Sequence, residues 1–292
     1  MMEPESLAIP EKLINVEGLF ASKNPALLRL IPRFLLNYIK NVIHEDEVNS
    51  YIFRHREKFG LPFVVAILRE FGVNVVTRIH QNPQSDPMPL LREMLQDRRV
   101  ILASNHPLGG LDGLALMSQV GEVRPDLVFP VNDLLMNLPG LKPLFIPINK
   151  HGRNTENARI IEDTFAGGKA ILYFPAGLVS RKFRGGVFRD LEWKPTFIKK
   201  ARKYQRDVLP VFISGRNTDR FYNIANWRKR FGIKANLEMF FLVDEMMRQK
   251  GQTITLEIGS IIPWQSFERT RSDADWAAFV RDTVYSMNQH ND

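Results

Sequence analysis

The sequence predicts an α/β fold: a mostly parallel central sheet flanked by helices, with an N-terminal amphipathic helical region. Three observations lead there. From about residue 98, short apolar runs alternate with stretches of helical spacing, the rhythm of helices covering a parallel sheet. Residues 1–72 read instead as helical and amphipathic. Hydrophobic residues make up 44% of the 292, enough to bury a substantial core. This divides the chain into an N-terminal helical region, 1–75, and a single α/β unit, 76–292.

In "IPRFLLNYIKNVI", Ile31, Phe34, Leu35, Tyr38, Ile39, Val42 and Ile43 recur at helical spacing, while Arg33, Asn37, Lys40 and Asn41 take the other side. Such a helix either packs on a core or lies in a membrane surface, cations at the headgroups. "LPFVVAILREFG" is a second helix, stopped at Gly72. The predicted strands are "RVILAS" (99–104), "DLVFPVN" (126–132), "PLFIPIN" (143–149), "KAILYFP" (169–175), "DVLPVFIS" (207–214) and "TITLEIG" (253–259). Helices fall between them at 111–120, 154–166 and 195–204. Asn154 is the N-cap candidate of the second, and Gly167–Gly168 end it. Prolines inside three of the runs predict bent or edge strands. "DADWAAFVRDTVYSMNQH" reads as a closing helix.

Composition narrows the function. Without cysteine there are no disulfides, thiolate metal sites or cysteine acyl-enzymes, which fits a reducing, cytoplasmic setting. The N-terminus lacks the order of a signal peptide, and no apolar run approaches the ~18–20 residues of a spanning helix. Net charge is +8, with pI near 9.7, which favours nucleic acid, anionic lipid or an acidic carrier protein as partner. No zinc-finger, helix-turn-helix or RNA-platform motif is present, so nucleic acid is not expected. "GGKA" lacks the spacing of a phosphate-binding loop, and no G-x-S-x-G occurs. His44, His55, His80, His151 and His290 form no metal-binding pair, so no metal is expected.

The stretch "SNHPLGGLDG", Ser104–Gly113, sits where a strand ends and a helix begins, the position where open α/β sheets bind ligands. Gly109 and Gly110 permit a tight turn. Asp112 has two readings: a carboxylate favoured at a helix N-terminus, or the partner that fixes the His106 tautomer and leaves the other ring nitrogen as a general base. "FPAGLVSRKFRGGVFRD", 174–190, also follows a strand. Its arginines suit a phosphate or carboxylate, or form a solvated basic loop.

In order, "NHPLGGLD", "LFIPIN", "FPAGLVS" and "VLPVFI" resemble the signature blocks of the glycerolipid and lysophospholipid acyltransferases, over about residues 98–215. That family carries N-H-x-x-x-x-D, later F-P-E-G-T-R-S. Here five residues separate His106 from Asp112, Ala176 replaces the glutamate, and Val179 replaces the arginine that grips the acceptor phosphate. Arg181, two positions on, is the candidate substitute. These departures are similar to a divergent branch: the hemolysin-labelled proteins and the O-acyltransferases of bacterial amino-acid lipids.

The resemblance implies an O-acyltransferase of lipid biosynthesis. It would move a fatty acyl group from a thioester, on coenzyme A or acyl carrier protein, to a hydroxyl of a lyso-type lipid, such as an N-acyl amino acid lipid. The alternatives are a lysophosphatidate or other lysophospholipid acceptor, or a non-catalytic membrane-associated lipid-binding protein. His106 is the implied base and Asp112 its orienter. Gly109, Gly110, Phe174, Pro175, Gly177, Ser180, Arg181 and Arg184 are the implied substrate-binding residues. Amides near Gly109–Gly110 or Gly177 are candidates to stabilise the oxyanion. No cofactor beyond the thioester co-substrate is implied. The basic, helical region 1–75 resembles the membrane-docking region of the same family, and the implied setting is peripheral, on the inner face of the cell membrane, with an anionic surface as partner. "RFYNIANWRKRFGIK", 220–234, adds Phe221, Tyr222, Trp227 and Phe231 with Arg228, Lys229 and Arg230 to the membrane-facing candidates.

Overall fold

The computed structural model describes residues 12–23, 31–132, 135–148, 155–233 and 236–288. The N-cap expected at Asn154, and His151 and His290, lie outside them. The N-terminal region forms helices α1 (Val16–Lys23), α2 (Arg33–Val42), α3 (Glu45–Arg54) and α4 (Leu61–Glu70). Gly72 follows α4 at φ +61°, the left-handed conformation that ends a helix.

Seven strands form one sheet: β1 (Asn74–Ile79), β2 (Val100–Ser104), β3 (Leu127–Val131), β4 (Phe145–Pro147), β5 (Ala170–Tyr173), β8 (Asp207–Ile213) and β9 (Thr253–Ile258). Their order is β1-β9-β8-β2-β5-β3-β4. All neighbours are parallel except β8 and β9, so β1 and β9 run against the other five. A separate hairpin pairs β6 (Arg181–Lys182) with β7 (Phe188–Arg189).

Alternation along β2 shows why the sheet is sandwiched. Val100 and Leu102 face one core, which also holds residues of α4, α5 (Pro87–Leu95) and α6 (Gly110–Val123). Ile101 and Ala103 face a second core, with α7 (Thr155–Ala166), α8 (Thr196–Tyr204) and α11 (Asp273–Ser286). A strand covered on both faces reads as an unbroken apolar run, as "VILA" does. All six predicted strands and the predicted helices with described residues are present.

Two expectations change. The boundary at residue 75 cuts β1, "NVVTRI", a strand that none of the predicted runs contains. α4 also packs in the main core, so the N-terminal region and the sheet share it. Pro210 sits in β8, an interior strand, although its proline predicted an edge. Val208 exchanges hydrogen bonds with Ile262, and the Gly259 N–H donates to the Pro210 carbonyl. Alternation turns the Pro210 nitrogen to that same side, between the end of β9 and the return of the chain at Ile262. No ladder bond is lost there.

At the rim where β8 begins, Arg206 is fully buried. It donates to the carbonyls of Thr164, Phe165, Gly167 and Lys169 at 2.7–3.1 Å. It therefore caps the C-terminus of α7, where a cation also meets the helix dipole favourably. Burial pulls its guanidinium down to about 10.

Candidate active site

The site forms at the carboxyl ends of β2 and β5, which are parallel and open on one rim. Asn105 follows β2 directly. Its side chain accepts from the Ile213 N–H at 2.7 Å and donates to the Ile213 carbonyl at 2.9 Å. A side chain thus continues the ladder and locks the end of β2 to the end of β8.

His106 comes next, and the turn through Pro107 and Leu108 brings the chain to the start of α6. Gly109, at φ +93°, makes that turn; a Cβ there would lie 3.3 Å from Leu242 and in a region closed to most side chains. Asp112 stands in the first turn of α6 and reaches back. Its Oδ2 accepts from His106 Nδ1 at 2.8 Å and from the Leu108 and Gly109 N–H groups at 2.9 Å each. The helix-cap reading and the imidazole-orienting reading are therefore both satisfied by one oxygen. Asp112 is wholly buried, and Oδ1 has no hydrogen-bond partner among the described residues. Burial pushes its carboxyl above the usual aspartate value, opposed by the His106 ring and the two backbone donors.

The rest of His106 is fixed from the 174–190 loop. Phe174 stacks on the ring at 4.2 Å and 16°, and Phe129 meets Phe174 edge-on at 5.1 Å. The Ser180 N–H donates to the His106 carbonyl at 2.8 Å. The His106 N–H donates to Asp190 Oδ1 at 3.2 Å. The ring's remaining nitrogen, Nε2, has no partner among the described residues, and the side chain keeps 19% exposure.

Asp190 is the residue sequence reasoning missed. It closes the quoted loop but lies 84 positions from His106, and no spacing rule joins them. It is buried, accepts from the Ser180 hydroxyl at 2.5 Å and from the Trp193 indole N–H at 2.9 Å. Its own N–H donates to the Tyr285 hydroxyl at 2.7 Å. Burial raises its carboxyl above the ordinary value, against the Ser180 and Trp193 donors.

Other expected site residues divide. Phe174 and Ser180 touch His106 directly. Pro175 is buried, and its carbonyl accepts from the Lys194 N–H at 3.1 Å. Gly110 is exposed at the start of α6, and Gly177, at φ +64°, is exposed in its loop. The Gly109 amide is engaged by Asp112 and the Gly177 amide by the Phe174 carbonyl, at 3.0 Å. Neither is free to meet an oxyanion.

Arg181 requires a correction. It is buried rather than open to substrate. Its guanidinium donates to Glu238 Oε1 at 2.8 Å and to the Val179 carbonyl at 2.8 Å. Arg228 holds the other face of Glu238, from Nε to Oε2 at 2.5 Å. A charge pair out of water is costly to break, so Arg181 cannot double as a phosphate fork. Arg184 is exposed at the hairpin tip, with no partner among the described residues. Ala176 belongs to the core cluster that holds Trp193 and Phe197, and Val179 to the small cluster with Phe221 and Tyr222. Phe221, Tyr222 and Arg228, three of the membrane-facing candidates, are likewise buried.

The acyltransferase family profile matches residues 18–292. Two curated lyso-glycine lipid O-acyltransferases, from Phocaeicola vulgatus and Bacteroides thetaiotaomicron, are each 41% identical over 277 residues. The match covers 94% of this chain and 95% and 97% of those proteins. The 1-acyl-sn-glycerophosphate acyltransferase PlsC of Thermotoga maritima aligns over 88% of this chain and 94% of its own, at 16% identity and a TM-score of 0.47. On the extent of the profile match and the 41% identity over nearly the whole length, the chain belongs to the acyltransferase family.

Proposed function

We propose that this chain transfers a fatty acyl group from an acyl thioester to the free hydroxyl of an N-acyl amino acid lipid whose polar end carries no phosphate. The observation that supports this reading is the interior of the 174–181 loop. The position that would grip a phosphate holds Val179, which is buried, and Arg181, its candidate substitute, is engaged by Glu238. The relatives named for lyso-glycine lipid fit the same acceptor class.

The chemistry follows from one open nitrogen. Asp112 holds the proton on His106 Nδ1, leaving Nε2 as acceptor. The lipid hydroxyl attacks the thioester carbonyl while Nε2 takes its proton, giving a tetrahedral intermediate and an imidazolium. Asp112 stabilises that cation at 2.8 Å. The intermediate collapses, the C–S bond breaks, and the imidazolium returns its proton to the departing thiolate. No covalent acyl-enzyme forms. General-base assistance of this kind supplies roughly 10²–10⁴-fold, and positioning supplies much of the remainder. The donor is acyl carrier protein or coenzyme A thioester, and the reaction needs no further cofactor. The protein works as a peripheral protein on the inner face of the cell membrane; no helix among the described residues is long and apolar enough to cross it.

The test offers labelled acyl thioester with either lyso-glycine lipid or lysophosphatidate. Label enters the glycine lipid at least tenfold faster. Equal or faster labelling of lysophosphatidate sinks the reading.

A further inference from the structure

The buried Arg181–Glu238–Arg228 cluster is a junction of three elements. Arg181 begins the β6–β7 hairpin, Arg228 lies on helix α9 (Asp219–Arg230), and Glu238 lies on the 3₁₀ turn Leu237–Phe241. The Asn226 side chain on α9 also donates to the Lys182 carbonyl at 3.3 Å. Around this polar node the same three elements turn large apolar side chains outward. Phe183 and Val187 occupy the hairpin tip, Trp227 and Phe231 the end of α9, and Phe240 the 3₁₀ turn. Each is 45–61% exposed. Trp227 and Phe231 contact each other at 4.6 Å and nothing in the core covers them.

The unpaired charge on these elements has one sign at the surface. Arg184, Lys229 and Arg230 are exposed, with no partner among the described residues. The acids are accounted for: Glu238 is buried, and Asp219 pairs with Lys182 at 2.8 Å and Arg216 at 3.7 Å. The patch also adjoins the chemistry, because the hairpin continues directly from Ser180, which binds the His106 carbonyl. Exposed aromatics interleaved with unpaired cations match the interface of an anionic bilayer, where rings sit at headgroup depth and cations meet phosphates. A protein partner also favours aromatic side chains at its interface, and it is the alternative the vesicle test separates.

We propose that the hairpin tip, the end of α9 and the Leu237–Phe241 turn form one docking surface for an anionic lipid bilayer, holding the loop that contacts His106 against the headgroups. The proposal deepens the lipid-acylation reading by naming the face that meets the lipid; its evidence is the surface itself.

Vesicle binding tests it without turnover. The full-length protein is sedimented with phosphatidylcholine vesicles, with and without phosphatidylglycerol. Each cation near an anionic surface is worth about fivefold in binding. The pair Lys229→Glu and Arg230→Glu therefore lowers partitioning to anionic vesicles by about 25-fold or more and changes binding to neutral vesicles little. Trp227→Ser with Phe231→Ser lowers both, and so does Phe183→Ser with Val187→Ser. Brominated lipid quenches wild-type tryptophan fluorescence, and Trp227→Phe removes that quenching. All substituted side chains are exposed, and unchanged melting curves confirm folding. Binding unaffected by these substitutions, or quenching that survives Trp227→Phe, overturns the proposal. Unchanged vesicle binding with a raised KM for carrier-bound donor overturns it in favour of a protein dock. Loss of vesicle binding leaves acyl transfer to a detergent-dispersed acceptor intact, so failure of the surface and failure of the proposed reaction give different results.

Discussion

Asp112→Asn separates geometry from charge in the proposed mechanism. The asparagine carbonyl can take the place of Oδ2, because that oxygen faces three donors: His106 Nδ1 and the Leu108 and Gly109 N–H groups. The flipped amide would set its own NH₂ against all three. The imidazole thus keeps its tautomer and its place, and loses only the negative charge opposite the imidazolium. A hydrogen bond to a charged partner is worth about 1.5–3 kcal/mol. At 1.4 kcal/mol per tenfold, kcat falls about 10- to 150-fold. Stability behaves differently. The new NH₂ takes the place of Oδ1, buried and without a partner, at a cost of about 1–3 kcal/mol. Removing a fully buried charge offsets that cost. The melting temperature therefore moves by only a few degrees. Steady-state acyl transfer and a thermal melt on the same preparation decide it. Activity within threefold of wild type, or a collapse of melting temperature in step with activity, refutes the orientation argument.

Asp190→Asn strips one acceptor from the group that holds the His106 N–H, the Ser180 hydroxyl and the Trp193 indole. Acyl transfer drops about tenfold and the melting temperature falls with it, since a hydrogen bond to a charged group is lost; full activity in this variant would show that the His106 main chain needs no such hold. Hydrogen bonds from Lys250 and Tyr51 hold the Glu47 carboxyl down to about 2, below its ordinary 4.5. A depressed carboxyl stabilises the fold above its unfolded value and loses that contribution as pH falls through its folded value. The melting-temperature gap between wild type and Glu47→Gln is accordingly full above pH 4.5 and closes on the way to about pH 2. The gap is small, because Glu47 is 42% exposed and solvent screens the pair; a gap that widens in acid contradicts the assignment.

Much of the sheet was legible because buried parallel strands leave continuous apolar runs, as in "VILAS" and "AILY". β1 was not: its pattern is half-exposed, and it runs as an edge strand straight after a helix. The His106–Asp112 contact was readable from a strand–turn–helix with glycines in the turn, since both residues are local. Asp190 and Asn105 act across long stretches of chain, through main-chain atoms, and main-chain contacts leave no mark on spacing. Arg181 misled for the complementary reason. An arginine beside a predicted binding loop looks available until Glu238, 57 residues later, is seen to occupy it.

Arg206 grips oxygens of the polypeptide backbone, at the end of the sheet away from His106. Such a clasp reads conformation rather than residue identity, so nearly any sequence that ends α7 the same way can be held. One end of the scaffold is thereby insulated from changes made at the other. A descendant of this chain can exchange the side chains around Ala176 and Val179 while the clasp beneath stays as it is.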